Sequence, residues 1–405
     1  MARGEGLWAL SGYPWRVALG MVVFVGSWLA LDLWGDEARG TEVPNNPGVR
    51  VLNAPELPVL GQGLAARHQT QGEPAEPFVL LGETVAPGSR RTLTWSTSIG
   101  GFGVDTPVIV NHGGAKGPVV CLTAAVHGDE LNGIEIARQV SYGLDPMTLR
   151  GTIVAVPVVN IEGFFRQSRY FADRRDLNRH FPGNPEGSAA GRLAFEVFAR
   201  IIRHCDALAD LHTGSYYRAN LPQLRADMTL EAVAEMAAGF NGLTVLHSVG
   251  RGGMLRVAAV QAGIPAVTLE IGGPLRLEPA AVDAGVVAIR HYLAVTGLLP
   301  GPVPDEGVEQ AIFFESIWLR AEVAGIFHTQ VPLGEDVQIQ QILGYVIDPI
   351  TNRQVAVLAP AAGTVLGLAD NQFVSPGYAL YRLGLADSQT LLHPDTDATP
   401  PQDPQ

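Results

Sequence analysis

Three side chains in this sequence have the types and the placing to share one divalent cation. The segment AAVHGDELNG ends an apolar run with His127 and sets Glu130 three positions on; ALADLHTG ends a second apolar run with His212. Two imidazoles and one carboxylate form the protein ligand set of catalytic zinc, which keeps a fourth position for water or substrate. HxxE alone is a weak signal, since a strand-end histidine is more often a hydrogen-bonded structural residue. The second strand end in DLHTG is what lifts it. Structural zinc sites are closed and sulfur-rich, and neither Cys121 nor Cys205 is spaced for one.

Two further segments add chemistry. In RQSRYFADRRDLNRHFPGN (166–184), Arg166, Arg169, Arg174, Arg175 and Arg179 crowd together with Asp173, Asp176 and Asn178. Forked guanidinium groups at this density suit bidentate capture of a carboxylate or of a developing oxyanion. Arg166, Arg174 and Arg175 fit a solvated charged loop equally well. In VTLEIGG (267–273), Glu270 follows an apolar strand; beside an activated water it could accept a proton and deliver it to a leaving nitrogen. A surface carboxylate at a strand end is the plainer alternative, and the apolar approach with the double glycine behind it speaks against that.

The elements that must position these groups follow from rhythm. PVVCLTAAV, GTIVAVPVV, ALADLH, LTVLHSV and PAVTLEIGG are apolar runs of strand length, separated by helix-like stretches at Gly133–Tyr142, Ala189–Arg203 and Thr229–Gly239. Apolar strands alternating with helices predict an α/β fold whose sheet is covered on both faces. Open sheets of this kind bind ligands beyond their carboxyl ends, where the candidate ligands fall. Short alternating segments between Phe78 and Val110 predict β-strands ahead of it. After the Pro/Gly-rich junction PGPVPDEG (300–307), residues 308–384 read as short strands with frequent Gly and Pro, a small all-β domain.

HGDE, RY–DLNR, DLHTG and TLEIGG, in this order, resemble the succinylglutamate desuccinylase/aspartoacylase family, a branch of the zinc carboxypeptidase-like hydrolases. The resemblance covers roughly residues 80–385. It implies a zinc carboxypeptidase-like mixed sheet flanked by helices, plus a small C-terminal all-β, barrel-sandwich-like domain. It also implies one zinc ion per chain on His127, Glu130 and His212, a general base at Glu270, and carbonyl polarisation by Arg169. Asn178 and Arg179 would bind a substrate carboxylate, Asp176 would orient His127 through its other ring nitrogen, and Arg256 would add a substrate contact. The Arg-Tyr pair stands two residues farther from DLNR than the family spacing, leaving Arg174 or Arg175 as alternatives to Arg169. The segment GEDVQIQQILGYVID…VAVLAPAAGTVLGL resembles biotinyl/lipoyl carrier domains. It has no lysine to modify, so a scaffold, lid or oligomer contact is expected there.

Composition bounds the rest. The chain has 405 residues, 47% hydrophobic and 17% charged, with a formal charge of −13. That is a folding composition, and its few scattered cations do not suit a nucleic-acid partner. Lys116 is the sole lysine. The two cysteines read as buried thiols rather than a disulfide framework. Val17–Leu31 is an uncharged apolar stretch of 15 residues, with Arg3 and Arg16 before it and Asp32, Asp36 and Glu37 after. This order suits a signal peptide or a short membrane anchor, hence an exported protein. The organisation expected is an N-terminal signal or anchor (1–35), a linker (36–75), a zinc hydrolase domain (76–300), a C-terminal β domain (305–385) and a disordered tail (386–405).

The functional expectation is a zinc-dependent deacylase acting on the amide of a small N-acyl amino acid, with a possible homo-oligomer. A carboxypeptidase, cell-wall peptide amidase or esterase on the same scaffold is the alternative among enzymes. An exported zinc-binding adaptor without catalysis is the alternative outside them; retention of Glu270 beside all three ligands weighs against it.

Overall fold

The structure, a computed structural model, describes residues 49–51, 72–99, 102–301 and 310–385. The apolar stretch 17–31, most of the linker and the tail lie outside the described residues. Among the described residues, no helix is long and apolar enough to cross a membrane.

Ten strands form the main path of one large sheet. In chain order these include β1 (Ser89–Ile99), β2 (Phe102–His112), β3 (Ala115–Ala124), β4 (Arg150–Val156), β5 (Ala207–His212), β6 (Arg218–Ala226), β7 (Thr244–His247), β8 (Ala266–Gly272) and β9 (Ala311–Phe313). The spatial order runs from a short strand at Val49–Val51 through β9, β7, β6, β8, β5, β3, β4 and β2 to β1. The centre, β8–β5–β3–β4, is parallel, while β6 runs antiparallel to β8 and β2 antiparallel to β4. The mixed sheet is the architecture expected.

Helices cover both faces, as the continuous apolar strands require. They are α1 (Leu131–Tyr142), α2 (Ala189–Arg200), α3 (Glu231–Ala238), α4 (Leu255–Gln261) and α5 (Pro279–Val295). On one face, Ile136 and Val140 of α1, Met236 of α3 and Ile289 of α5 pack on Leu122, Leu211 and Leu269 of the central strands. On the other, Val197 and Phe198 of α2 and Leu255 and Ala259 of α4 pack on Cys121, Val154 and Leu208. Every residue of β5 and of β8 is buried, so both strand ends are rigid supports.

The cysteines are not two thiols. Cys121 on β3 and Cys205, two residues before β5, form a disulfide across neighbouring parallel strands. Two cysteines 84 residues apart gave no local sign of it; pairing of β3 with β5 makes them neighbours.

The C-terminal strands are continuous with the catalytic sheet. They are β10 (Ser316–Arg320), β11 (Gly325–Thr329), β12 (Ile342–Ile347), β13 (Gln354–Leu358), β14 (Gly363–Ala369), β15 (Phe373–Val374) and β16 (Ala379–Leu385). β14 pairs antiparallel with β6 and with β16, and β16 pairs with β10. A separate four-stranded sheet, β13–β12–β11–β15, packs Phe327 and Val346 against Val365, Tyr381 and Leu383. β9 joins the hydrolase sheet beside β7. The β region is thus fastened to β6, one strand away from the one that carries Glu270.

Alkylation of the unfolded, unreduced protein should leave both cysteines unlabelled, and labelling of either would contradict the pairing. A Cys121→Ala/Cys205→Ala double variant should lose roughly 2–4 kcal/mol of unfolding free energy in denaturant titration.

Candidate active site

β3 stays buried to Ala124, and the chain then turns through Ala125, at φ 48°, to deliver His127. The turn needs glycine next: a Cβ on Gly128 would lie 2.0 Å from the carbonyl carbon of Gly163. Glu130 sits at the N-cap position of α1, so the helix start fixes its backbone. β5 ends on His212, and Glu270 of β8 is the register partner of His212 in parallel pairing. Paired residues on adjacent strands stand about 5 Å apart with side chains on the same face, which sets Glu270 beside His212.

The three candidate ligands converge. Nδ1 of His127 is 2.8 Å from Oε1 of Glu130, Nδ1 of His212 is 2.8 Å from Oε2, and the two Nδ1 atoms are 3.2 Å apart. All three side chains are buried, and one ligand atom from each lies within 4.8 Å of the others. This cluster could hold a metal ion. Its chemistry fits one: each ring presents Nδ1 inward and turns Nε2 to a carboxylate behind it. For His127 that carboxylate is Asp176, at 3.1 Å; for His212 it is Asp210, at 2.9 Å. Such outer carboxylates fix the tautomer and the ring plane of metal-binding histidines.

The electrostatics are those of a tightly coupled buried cluster. Burial alone would raise Glu130, but the charges and hydrogen bonds of His127 and His212 hold it far below the usual carboxylate range. Burial would lower His212, yet Asp210 and Glu130 outweigh it and hold the imidazolium well above its ordinary value. Partial burial would raise Asp176, but His127, Arg169 and Arg179 hold it far below the usual carboxylate range.

Of the five loop arginines, Arg169 is the one brought to the ligands. Its Nη1 lies 3.2 Å from Nδ1 of His127 and 3.4 Å from Glu130, and donates to Oγ of Ser215 at 2.7 Å. Its Nη2 donates to Asp176 at 2.8 Å. Arg166, Arg174 and Arg175 are exposed, and Arg175 pairs with Asp173. Asn178 is buried; its Oδ1 accepts from the backbone N–H of Leu255 at the start of α4, which leaves its amide nitrogen to meet a ligand. Arg179 donates to the carbonyl of Asn178 and keeps a half-exposed guanidinium 3.9 Å from Asp176. Arg256, on α4, is buried, and its Nε and Nη1 have no hydrogen-bond partner among the described residues.

Glu270 is buried and held at both oxygens. Asn220 Nδ2 donates to Oε2 at 2.8 Å, and Arg225 Nη1 reaches Oε1 at 3.0 Å. Sequence reasoning missed Asn220, Arg225, Ser215 and Asp210. Only Asp210 had a legible signal: in a strand, D-x-H puts both side chains on one face. Thr123 of β3 donates to its other oxygen at 2.7 Å.

Comparison with known proteins places this site in context. Residues 116–296 match the succinylglutamate desuccinylase/aspartoacylase catalytic domain. The N-alpha-acetyl-L-2,4-diaminobutyric acid deacetylase of Halomonas elongata is 27% identical over 249 residues, covering 58% of this chain and 71% of that protein. A succinylglutamate desuccinylase from Silicibacter sp. TM1040 superposes with a TM-score of 0.67 at 23% identity, over 77% of this chain and 98% of that one. An ectoine utilization protein from Ruegeria pomeroyi, solved with its product bound, gives 0.67 at 23% identity, over 78% and 100%. At these identities the solved structures bear on fold alone.

Two outcomes are expected for metal uptake. Asp210→Asn should weaken zinc affinity by roughly 10- to 100-fold in chelator competition, with the fold retained; unchanged affinity would remove Asp210 from the site. Because Asp210 and Glu130 favour the imidazolium form of His212, and a metal needs the ring neutral, uptake should release a proton and affinity should fall as pH falls. Calorimetry in two buffers of different ionisation enthalpy reads this release.

Proposed function

We propose that this chain, whose residues 116–296 are a succinylglutamate desuccinylase/aspartoacylase catalytic domain, is a zinc-dependent deacylase of small N-acyl amino acids. The observation that carries the reading is the convergence of His127, Glu130 and His212, each ring backed by its own carboxylate, beside Glu270. The coarser part of it, a hydrolase of small N-acyl compounds, is supported by the family match and by the deacetylase relative. Zinc, rather than another ion, is supported by the His–Glu–His donor set, of the kind zinc hydrolases use. An ion held there would supply Lewis acidity to a bound carbonyl and acidify a water.

The chain's own residues then divide the work. Asn178 and Arg179 hold the carboxylate of the amino acid and set its register on the site. Arg169, fixed by Asp176 and Ser215, donates to the amide oxygen as it gains negative charge. Glu270 takes one proton from the attacking water as the new C–O bond forms. It returns that proton to the amide nitrogen as the C–N bond breaks, giving a carboxylic acid and a free amine. Asn220 and Arg225 keep the Glu270 carboxylate in one orientation through both transfers. Asp176 and Asp210 hold the two imidazoles so that each Nδ1 would be free to bind an ion held there.

The protein is also proposed to be exported. Two observations support this: the apolar stretch 17–31 with basic residues before it, and a buried disulfide, since stable disulfides belong to oxidising compartments.

The test is Glu270→Gln. It should keep stoichiometric zinc by elemental analysis while kcat on N-acetyl amino acids falls about 100- to 10,000-fold, the usual worth of a general acid–base group. Near-normal turnover in that variant would remove Glu270 from the mechanism.

A further inference from the structure

Three bulky apolar residues beside the site hold a backbone conformation that such residues rarely adopt. Tyr216 (φ 54°), Tyr217 (φ 57°) and Leu275 (φ 61°) are all left-handed. On side chains of this size that conformation is unfavourable, and it persists only where the surroundings over-determine it. Tyr216 and Tyr217 stand in the loop that leaves β5 after His212, and Leu275 in the loop that leaves β8 after Glu270.

The two loops are fastened by their main chains. Tyr378 donates its hydroxyl to the carbonyl of Tyr216. The backbone N–H of Asp370, in the turn after β14, donates to the carbonyl of Tyr217 at 2.8 Å, and the Gln372 amide donates to the same oxygen at 3.1 Å. The Asp370 carboxylate pairs with Arg276, next to Leu275, at 2.5 Å. The N–H of Leu275 donates at 2.8 Å to the carbonyl of Asp129, which lies between His127 and Glu130 in the chain. Asp370 thus draws both loops together. The side chains stay outward: Tyr216 is 42% exposed, Tyr217 56% and Leu275 42%. Apolar surface held open to water at a conformational cost marks a place where apolar matter binds.

Arg169 gives that ligand its direction. Its Nη2 is on Asp176, which Asn178 and Arg179 adjoin, and its Nη1 is on Ser215, the neighbour of Tyr216. Its guanidinium carbon lies 5.7 Å from the centre of the Tyr216 ring, and the Tyr216 hydroxyl meets that of Tyr170 at 2.7 Å. Arg218, also 5.7 Å from that ring, is fixed by its Nε donating to the Ser215 carbonyl at 2.9 Å; it covers part of the ring and leaves the rest open. A substrate with its amide oxygen on Arg169 and its carboxylate on Asn178 and Arg179 sends its acyl chain the other way, past Ser215. We propose that Tyr216, Tyr217 and Leu275 form an apolar wall for the acyl group, so that the protein prefers N-acyl amino acids bearing a hydrocarbon chain of several carbons over those bearing acetyl or a charged acyl group. This rests on the deacylase reading and on the substrate orientation given with it.

Hydrolysis of N-acetyl-, N-hexanoyl- and N-succinyl-alanine by the zinc-loaded protein tests this. A fully buried methylene is worth about fourfold; a wall covers one side of the chain, so about twofold for each is expected. The four methylenes added from acetyl to hexanoyl should then raise kcat/KM by about tenfold or more, with succinyl below hexanoyl. The double variant Tyr216→Gly/Tyr217→Gly suits the left-handed backbone and removes both rings. It should bring the hexanoyl-to-acetyl ratio to within about threefold of unity, while Tyr216→Phe/Tyr217→Phe should keep it. A loss that acted only through Arg169 would slow both substrates alike and leave the ratio standing. Acetyl or succinyl cleaved as well as hexanoyl, or a hexanoyl preference that survives in the glycine variant, would overturn the proposal. If the glycine variant does not fold, the wild-type ratios decide. If no amide is cleaved, the deacylase reading fails and calorimetry takes over. N-hexanoyl-alanine bound about tenfold tighter than N-acetyl-alanine would keep the wall; equal binding would end it.

Discussion

Three buried groups with lone pairs facing one another are tolerable only when something positive lies between them. His127, Glu130 and His212 bring their donor atoms to 2.8–3.2 Å in the interior, with the guanidinium of Arg169 close beside them. The surroundings of the site follow from this constraint. Asp176 and Asp210 stand behind the rings because an imidazole committed at Nδ1 needs an acceptor at Nε2. The strand ends are fully buried because a ligand that swings by an ångström loses its geometry. Gly128 is required because the turn after His127 runs against the backbone of Gly163.

The same constraint ties the C-terminal β region to the chemistry. β6 is hydrogen-bonded to β8 on one edge and to β14 on the other. It carries Asn220 and Arg225, the two groups that hold Glu270. A strand with one side on the catalytic carboxylate and the other on an added sheet transmits the position of that sheet to the site. Tyr378 adds a second link through its hydrogen bond to the carbonyl of Tyr216, in the loop that follows His212. The β region lacks the lysine of a carrier domain, and its contacts are those of a wall of the site.

How much of this was legible depended on whether a residue's role left a pattern along the chain. The parallel strands were legible because burial on both faces makes them continuously apolar, and the ligands were legible because they close those runs. β6 was not. Its sequence RANLPQLRA mixes Asn220, Pro222, Gln223 and Arg225 among few apolar residues, since it sits between the site and an added sheet rather than between two layers of helix. Asn220 and Arg225 were invisible for the same reason: the partner that gives them meaning, Glu270, lies 50 and 45 residues away along the chain. The disulfide was misread because the pairing of β3 with β5, which makes Cys121 and Cys205 neighbours, is a tertiary fact. Arg169 was separable from Arg174 and Arg175 only once the loop was folded against His127.

X-ray absorption at the zinc edge of the purified protein tests the central claim most directly. The account predicts a first shell of nitrogen and oxygen at about 2.0–2.1 Å with imidazole scattering from two histidines and no sulfur. Loss of one imidazole in His212→Ala should follow. An ion coordinated by sulfur, an ion without histidine scattering, or a protein that takes up no zinc would contradict it.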